Sequence, residues 1–263
     1  MAEYIEIKMA TSHETVHDMR TERLAQLSEP QEYFLEEQAV KSKPFMILEE
    51  GTMTGYALIA DGNILVEFCC SETEVFPRRD LLEHVVRELK IKKAFCQSFD
   101  HNLLSAALLL KPKVDATGIL FRKFDAFKYW NTAPKGLEYA AAGKQDYDMI
   151  RGINEGFFSS DGEIRGLIAR GELIAFYSNK RLIGCGIMQQ AVPGTNAYDI
   201  GMMVDPVFRR QGYGAYIAYR TASQCIAAGH RPVCGCGIDN TASLKALENA
   251  GFISRHLLLE LKF

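Results

Sequence analysis

Residues 204–214, read as Val-Asp-Pro-Val-Phe-Arg-Arg-Gln-Gly-Tyr-Gly, restrict the fold more than any other part of this 263-residue chain. The apolar run 198–204 before it is of strand type. The run 215–228 after it has helical composition and no internal Gly or Pro. A strand, a turn carrying Arg209 and Arg210, and then Gly212 and Gly214 opening a helix is a layout that can hold a pyrophosphate. Glycines let backbone N–H groups approach phosphate oxygens, and a helix N-terminus supplies unsatisfied donors and positive potential. The two arginines add charge-assisted hydrogen bonds, or else form a solvated basic turn.

Around this run the C-terminal half divides readily. Short helices are expected at 146–156 and 164–170, strands at 173–178, 182–190 and 198–204, then a helix at 215–228. A strand at 232–238, a helix at 241–250 capped by Asp239 or Asn240, and a strand at 252–263 complete it. The N-terminal half repeats the order more faintly. Strands are expected at 45–49, 54–60, 64–70, 93–97 and 118–124, and helices at 78–90 and from Asp100 to about 110. Two copies of one unit follow, over 1–130 and 137–263, with a linker at 131–136. In this alignment Leu81 and Glu83 stand where Gly212 and Gly214 stand. A leucine there holds amides off a phosphate and a carboxylate repels one, so the first copy is read as a scaffold.

The paired motifs resemble those of the GNAT superfamily of acyl-CoA-dependent N-acetyltransferases. Arg209-Arg210-Gln211-Gly212-Tyr213-Gly214 is similar to that family's Arg/Gln-x-x-Gly-x-Gly/Ala signature, and 240–252 is similar to its second segment. The resemblance implies an α/β fold with a mixed sheet, in two tandem domains, and acetyl-CoA as co-substrate admitted where two strands splay. It implies backbone pairing of Met202 and Val204 with the pantetheine arm, and pyrophosphate binding across Arg209, Arg210, Gln211, Gly212, Tyr213 and Gly214. Asn240, with Ser243 behind it, is either a cofactor contact or a plain helix cap. The implied reaction is acetyl transfer to a primary amine, small-molecule or peptide, by direct attack on the thioester. An amide near Met203 or Val204 would stabilise the oxyanion. Asp199 is the candidate base and Glu155 the second choice. Leu247 stands where many members carry the tyrosine that protonates the thiolate, so Tyr213, water or no acid serves. A non-catalytic acyl-CoA-binding protein and a transferase using aminoacyl-tRNA are the alternatives.

A net charge of −3 argues against nucleic-acid or anionic-membrane partners. No apolar run approaches the ~20 residues that span a bilayer, and the acidic N-terminus lacks a signal-peptide layout, so a cytoplasmic location is expected. Seven cysteines without framework spacing read as buried free thiols, Cys234 and Cys236 included. His13-Glu14-Thr15-Val16-His17, with Glu36 beyond, matches a zinc-protease pattern literally. It opens a polar segment that Thr11 or Ser12 would cap, and no metal site is expected. The aromatic stretch 121–130 is expected to pack inside the fold. The acceptor and the oligomeric state are not encoded in any of these motifs.

Overall fold

Tight turns set where the first half reverses direction: Glu50 and Gly51 both take positive φ, as do Gly62 and Asn63. The computed structural model describes residues 5–71, 75–129 and 136–263, without the side chains of 75 and 76. Residues 131–135 of the expected linker, and Trp130 before it, lie outside them. β1 (Ile5–Met9), a 3-10 turn (His13–Val16), α1 (His17–Gln26) and α2 (Tyr33–Lys41) come first. β2 (Lys43–Glu49), β3 (Thr52–Ala60), β4 (Ile64–Cys70), α3 (Val75–Glu88), β5 (Lys93–Gln97), α4 (His101–Leu109) and β6 (Lys113–Phe124) follow. The second half holds β7 (Leu137–Ala141), α5 (Tyr147–Gly152), α6 (Asp161–Arg170), β8 (Leu173–Ser178) and β9 (Arg181–Gln190). After these come β10 (Ala197–Val204), α7 (Tyr213–Ala227), β11 (Arg231–Gly237), α8 (Thr241–Ala250) and β12 (Phe252–Lys262).

The chain forms two compact units, Leu120–Arg255 and Met1–Ile119 together with His256–Phe263. The last eight residues thus belong to the first unit, whose sheet runs β1-β2-β3-β4-β5-β12. β12 pairs antiparallel with β5, from Leu258 opposite Gln97 to Lys262 opposite Lys93. Leu261 enters that unit's core beside Leu65, Leu82 and Leu103. The second unit's sheet runs β6-β11-β10-β9-β8-β7, with β6 belonging to it from Leu120 onward. Its core joins Ile150, Ile164 and Leu167 to Cys185 and Met203 on one face, and Tyr216 and Ile217 to Phe176 on the other. Burial alone holds the Cys185 thiol up at about 12. Six of the seven cysteines are buried and Cys236 is half-buried.

Several boundaries move for local reasons. α6 starts three residues before the expected 164 because the Ser160 hydroxyl accepts from Glu163 N. α5 stops at Gly152, short of Gly156. β6 starts at Lys113, five residues early, and α3 at Val75. Arg78, Leu81 and Glu83 lie inside α3, with Leu81 in the core. β1, α2 and β7 lie where no element was expected. Ser12 makes no side-chain cap, and His13 sits in the 3-10 turn with Nε2 2.8 Å from the Ser42 carbonyl.

The first unit encloses an ionic network. The Arg20 guanidinium donates to Glu36 and Glu67, and Arg23 donates to Gln31 and to Asp100 at 2.5 Å. Gln31 and Tyr56 also donate to Glu67, which is fully buried. Burial by itself would push the Glu67 carboxyl up, but Arg23 and Arg20 overcome it and hold it at about 2, against an ordinary 4.5. A depressed carboxyl stabilises the fold above its unfolded value and loses that contribution as pH falls towards its folded value. Stability followed by urea denaturation is therefore expected to drop between pH 4.5 and pH 2, and a Glu67→Gln variant to lose part of that slope. Leu261→Ala, in the chain's last strand, is expected to destabilise the first unit by about 2–4 kcal/mol. An unchanged transition in that unit would contradict its place in the core.

Candidate functional site

Parallel strands β10 and β11 begin as neighbours and then separate. Ala197, Tyr198 and Asp199 pair with Arg231, Pro232 and Val233, and the pairing stops there. On its other side β10 stays paired with β9 as far as Val204 opposite Gly184. The edge of β10 from Ile200 to Val204 is thus left open towards β11.

Strand alternation shows which backbone groups line that edge. Asp205 N donates to Ile183 O and Ala191 N donates to Ala197 O, so odd-numbered residues of β10 turn their peptide groups to β9. Arg231 N donates to Asn196 O, so even-numbered residues turn theirs to β11. The N–H and C=O groups of Met202 and Val204 consequently face the gap. Of the two amides named for the oxyanion, Val204 faces the gap and Met203 faces β9. The Met203 expectation therefore falls away, and its side chain is a core residue.

Side chains divide by face in the same way. Met202 and Val204 pack on the α7 side with Tyr216 and Ile217, and Met203 packs on the α5 and α6 side. Asp199, in step with Met203, takes the α5 and α6 face at the last paired position before the gap. α7 lies close over β9 because Gly184 and Gly186 have no side chains; a Cβ at Gly186 would strike the Thr221 hydroxyl.

The turn at the end of β10 is built by residues the motif reading passed over. Asp205 Oδ1 accepts from Val207 N, and its other oxygen lies 3.4 Å from Arg181 Nη2. The Arg181 guanidinium lies 4.6 Å from the Phe208 ring, which meets Tyr213 edge-on at 6.0 Å. Only the Asp-Pro start was a readable signal, since Arg181 comes from a preceding hairpin. Arg210 adopts φ +62° and Gly212 φ +85°, and Gly212 is the N-cap of α7. Nothing lies within 4 Å of where a Gly212 Cβ would be. The turn therefore sets a helix start with open space beside Gly212, an arrangement that suits an anion.

The other named residues are placed less simply. Arg209 does not reach into that space: its Nε donates to Val204 O at 3.2 Å and its Nη1 lies 2.9 Å from Glu155 Oε2. Gln211 donates back to Val207 O. Asn240 Oδ1 accepts from Ser243 N at 3.0 Å, so both serve as the cap of α8. Leu247 is buried and offers no acid, and the Tyr213 ring meets Phe208 edge-on. Glu36 is bound into the first unit's ionic network. Among the described residues no group of three His, Cys, Asp or Glu could hold a metal, and no helix is long and apolar enough to cross a membrane. Phe121 and Phe124 pack on Phe252 and Tyr129 stacks on Tyr219.

The first unit has the same divergence in a different state. β4 and β5 pair only at Ile64 with Lys93 and Leu65 with Ala94. Beyond that point Arg23 spans the gap, 3.7 Å from Glu67 on β4 and 2.5 Å from Asp100 just after β5. Four residues, 71–74, connect β4 to α3, whereas eight, 205–212, connect β10 to α7.

Residues 12–124 match a family described as acetyltransferase (GNAT) domain, and residues 139–252 match the acetyltransferase (GNAT) family. No curated protein matches the chain. Among solved structures it is similar to an acetyltransferase of the GNAT family from Colwellia psychrerythraea (TM-score 0.87, 17% identity, 98% of this chain and 99% of that one). It is also similar to a tandem GNAT protein from the clavulanic acid biosynthesis pathway (0.67, 11%, 99% and 98%). A third is a GCN5-related N-acetyltransferase from Sphaerobacter thermophilus (0.63, 10%, 98% and 95%). At these identities the likeness establishes the fold.

The two motif glycines should respond differently to substitution. Gly212→Ala forces a side chain into the left-handed region and is expected to cost about 1–2 kcal/mol. Gly214 is helical and a Cβ there meets Ala246 and Val204 at 3.5 and 3.7 Å, ordinary contact distances. Gly214→Ala is expected to be neutral or slightly stabilising. Equal losses for the two in urea denaturation would contradict the turn geometry.

Proposed function

Because the chain belongs to the GNAT superfamily, with two of its domains in tandem, we propose that its second unit binds acetyl-CoA and transfers the acetyl group to a primary amine. The observation that carries this reading is the open edge of β10 meeting the Gly212 turn at one end. An extended amide-bearing arm can pair with the Met202 and Val204 peptide groups as a missing strand would. Its pyrophosphate then reaches the amides of Gly212–Gly214 and the arginines of the turn.

The thioester supplies an activated acyl carbon; the chain's own residues do the rest. The Val204 N–H, fixed in the strand and facing the gap, stabilises negative charge developing on the carbonyl oxygen. Asp199, on the α5 and α6 face, takes the proton of the attacking amine through water. With Leu247 buried, the sulfur departs as a thiolate, which the ordinary acidity of a thiol permits. The first unit binds no acyl-CoA, because Arg23 bridges its gap. One acyl-CoA per chain follows.

Thiol release from acetyl-CoA, measured with a panel of primary amines, tests this reading. Acceptor-dependent release is expected, and Asp199→Asn is expected to lower kcat by roughly 10²-fold while leaving CoA affinity unchanged. Tight CoA binding without release for any amine would favour a non-catalytic acyl-CoA-binding protein.

A further inference from the structure

Arg209 touches the Val204 carbonyl, which the proposed reaction needs, and the carboxylate of Glu155, the second choice of base, and phosphate binding explains neither contact. Its Nε donates to the Val204 carbonyl at 3.2 Å, and that carbonyl faces the gap where the pantetheine arm would pair. Its Nη1 lies 2.9 Å from Glu155 Oε2, on the loop between α5 and α6. That loop is built, not slack. Asn154 Oδ1 accepts from Phe158 N at 2.9 Å, and its Nδ2 donates to Phe158 O at 3.0 Å. Gly156 bends between them at φ +84°. Glu155 is therefore presented to Arg209 by a loop closed on itself.

The pair is also exchangeable. The Arg209 and Glu155 side chains are 49% and 59% exposed, and exposed ion pairs hold weakly. A pyrophosphate on the Gly212 turn offers the same guanidinium more charge and a better fork of acceptors.

We propose that Arg209 is a displaceable guard: its guanidinium covers the Val204 carbonyl and the Glu155 carboxylate, and the pyrophosphate of an acyl-CoA draws it off both together. This rests on the acyl-CoA reading above and adds an order to it. The acyl donor opens its own pantetheine path through its phosphates, and Glu155 becomes free to attract a cationic acceptor only after the donor is seated. A donor lacking the pyrophosphate cannot move the guard.

Calorimetric titration of the full chain with CoA and, separately, with pantetheine tests this in the wild type, Glu155→Gln and Arg209→Ala. Glu155→Gln releases Arg209 and is expected to tighten CoA by about two- to five-fold, the range of an exposed ion pair. Arg209→Ala is expected to weaken CoA by roughly tenfold, since a phosphate partner is lost, yet to tighten pantetheine by at least about twofold. Arg209→Gln gives a second check should the alanine variant misfold. CoA affinity unchanged or weakened in Glu155→Gln, or pantetheine affinity not raised in the Arg209 variants, overturns the guard and leaves the acyl-CoA reading standing. Failure of CoA to bind the wild type overturns both.

Discussion

The separation of β10 from β11 after Asp199 is the constraint on which the rest of the second unit depends. A strand that loses its neighbour leaves peptide groups unpaired, and an unsatisfied peptide group away from water is costly. Here that edge lies next to a turn with open space beside its Gly212. The chain supports both from behind: Gly184 and Gly186 let α7 seat on β9, and the Arg181, Asp205 and Phe208 contacts hold the turn. The two features are useful together because an extended ligand with an anionic end satisfies both.

The first unit meets the same problem with its own side chains. Arg23 extends between the diverging ends of β4 and β5, and Glu67, Asp100, Gln31, Glu36 and Arg20 satisfy one another around it. Such a network is stable only while every partner is present, since removing one leaves a buried charge. The fold has been kept and its opening has been closed from inside. The first unit thus contributes a sheet, a core and a receptacle for the chain's last strand and, in the proposed reading, no second reaction centre.

Much of the second unit could be read directly from sequence. The strands at 173–178 and 198–204 and the helix at 241–250 follow from local alternation and caps, and the Gly212 turn from its spacing. What could not be read depends on residues distant in sequence. That Met203 faces β9 follows from the hydrogen bonds that flank it, Ala191 N to Ala197 O and Asp205 N to Ile183 O. Arg209 reads as a phosphate ligand beside its glycines, and only the fold brings Glu155 to it. In the first half, Leu81 and Glu83 lie well inside α3, whereas Gly212 and Gly214 open α7, because α3 begins earlier than its apolar face alone suggests. The ionic network was invisible because Arg20, Arg23, Glu36 and Glu67 each look like surface residues in their own segments.

Amide hydrogen exchange with and without CoA addresses the central claim most directly, because it reports on single backbone groups in both units at once. The expected result is slowed exchange at Met202, Val204 and residues 212–216, with Met203 already slow and β4 and α3 unaffected. Protection appearing in β4 and α3, or none at Met202 and Val204 under saturating CoA, would contradict a single acyl-CoA site on the open edge of β10.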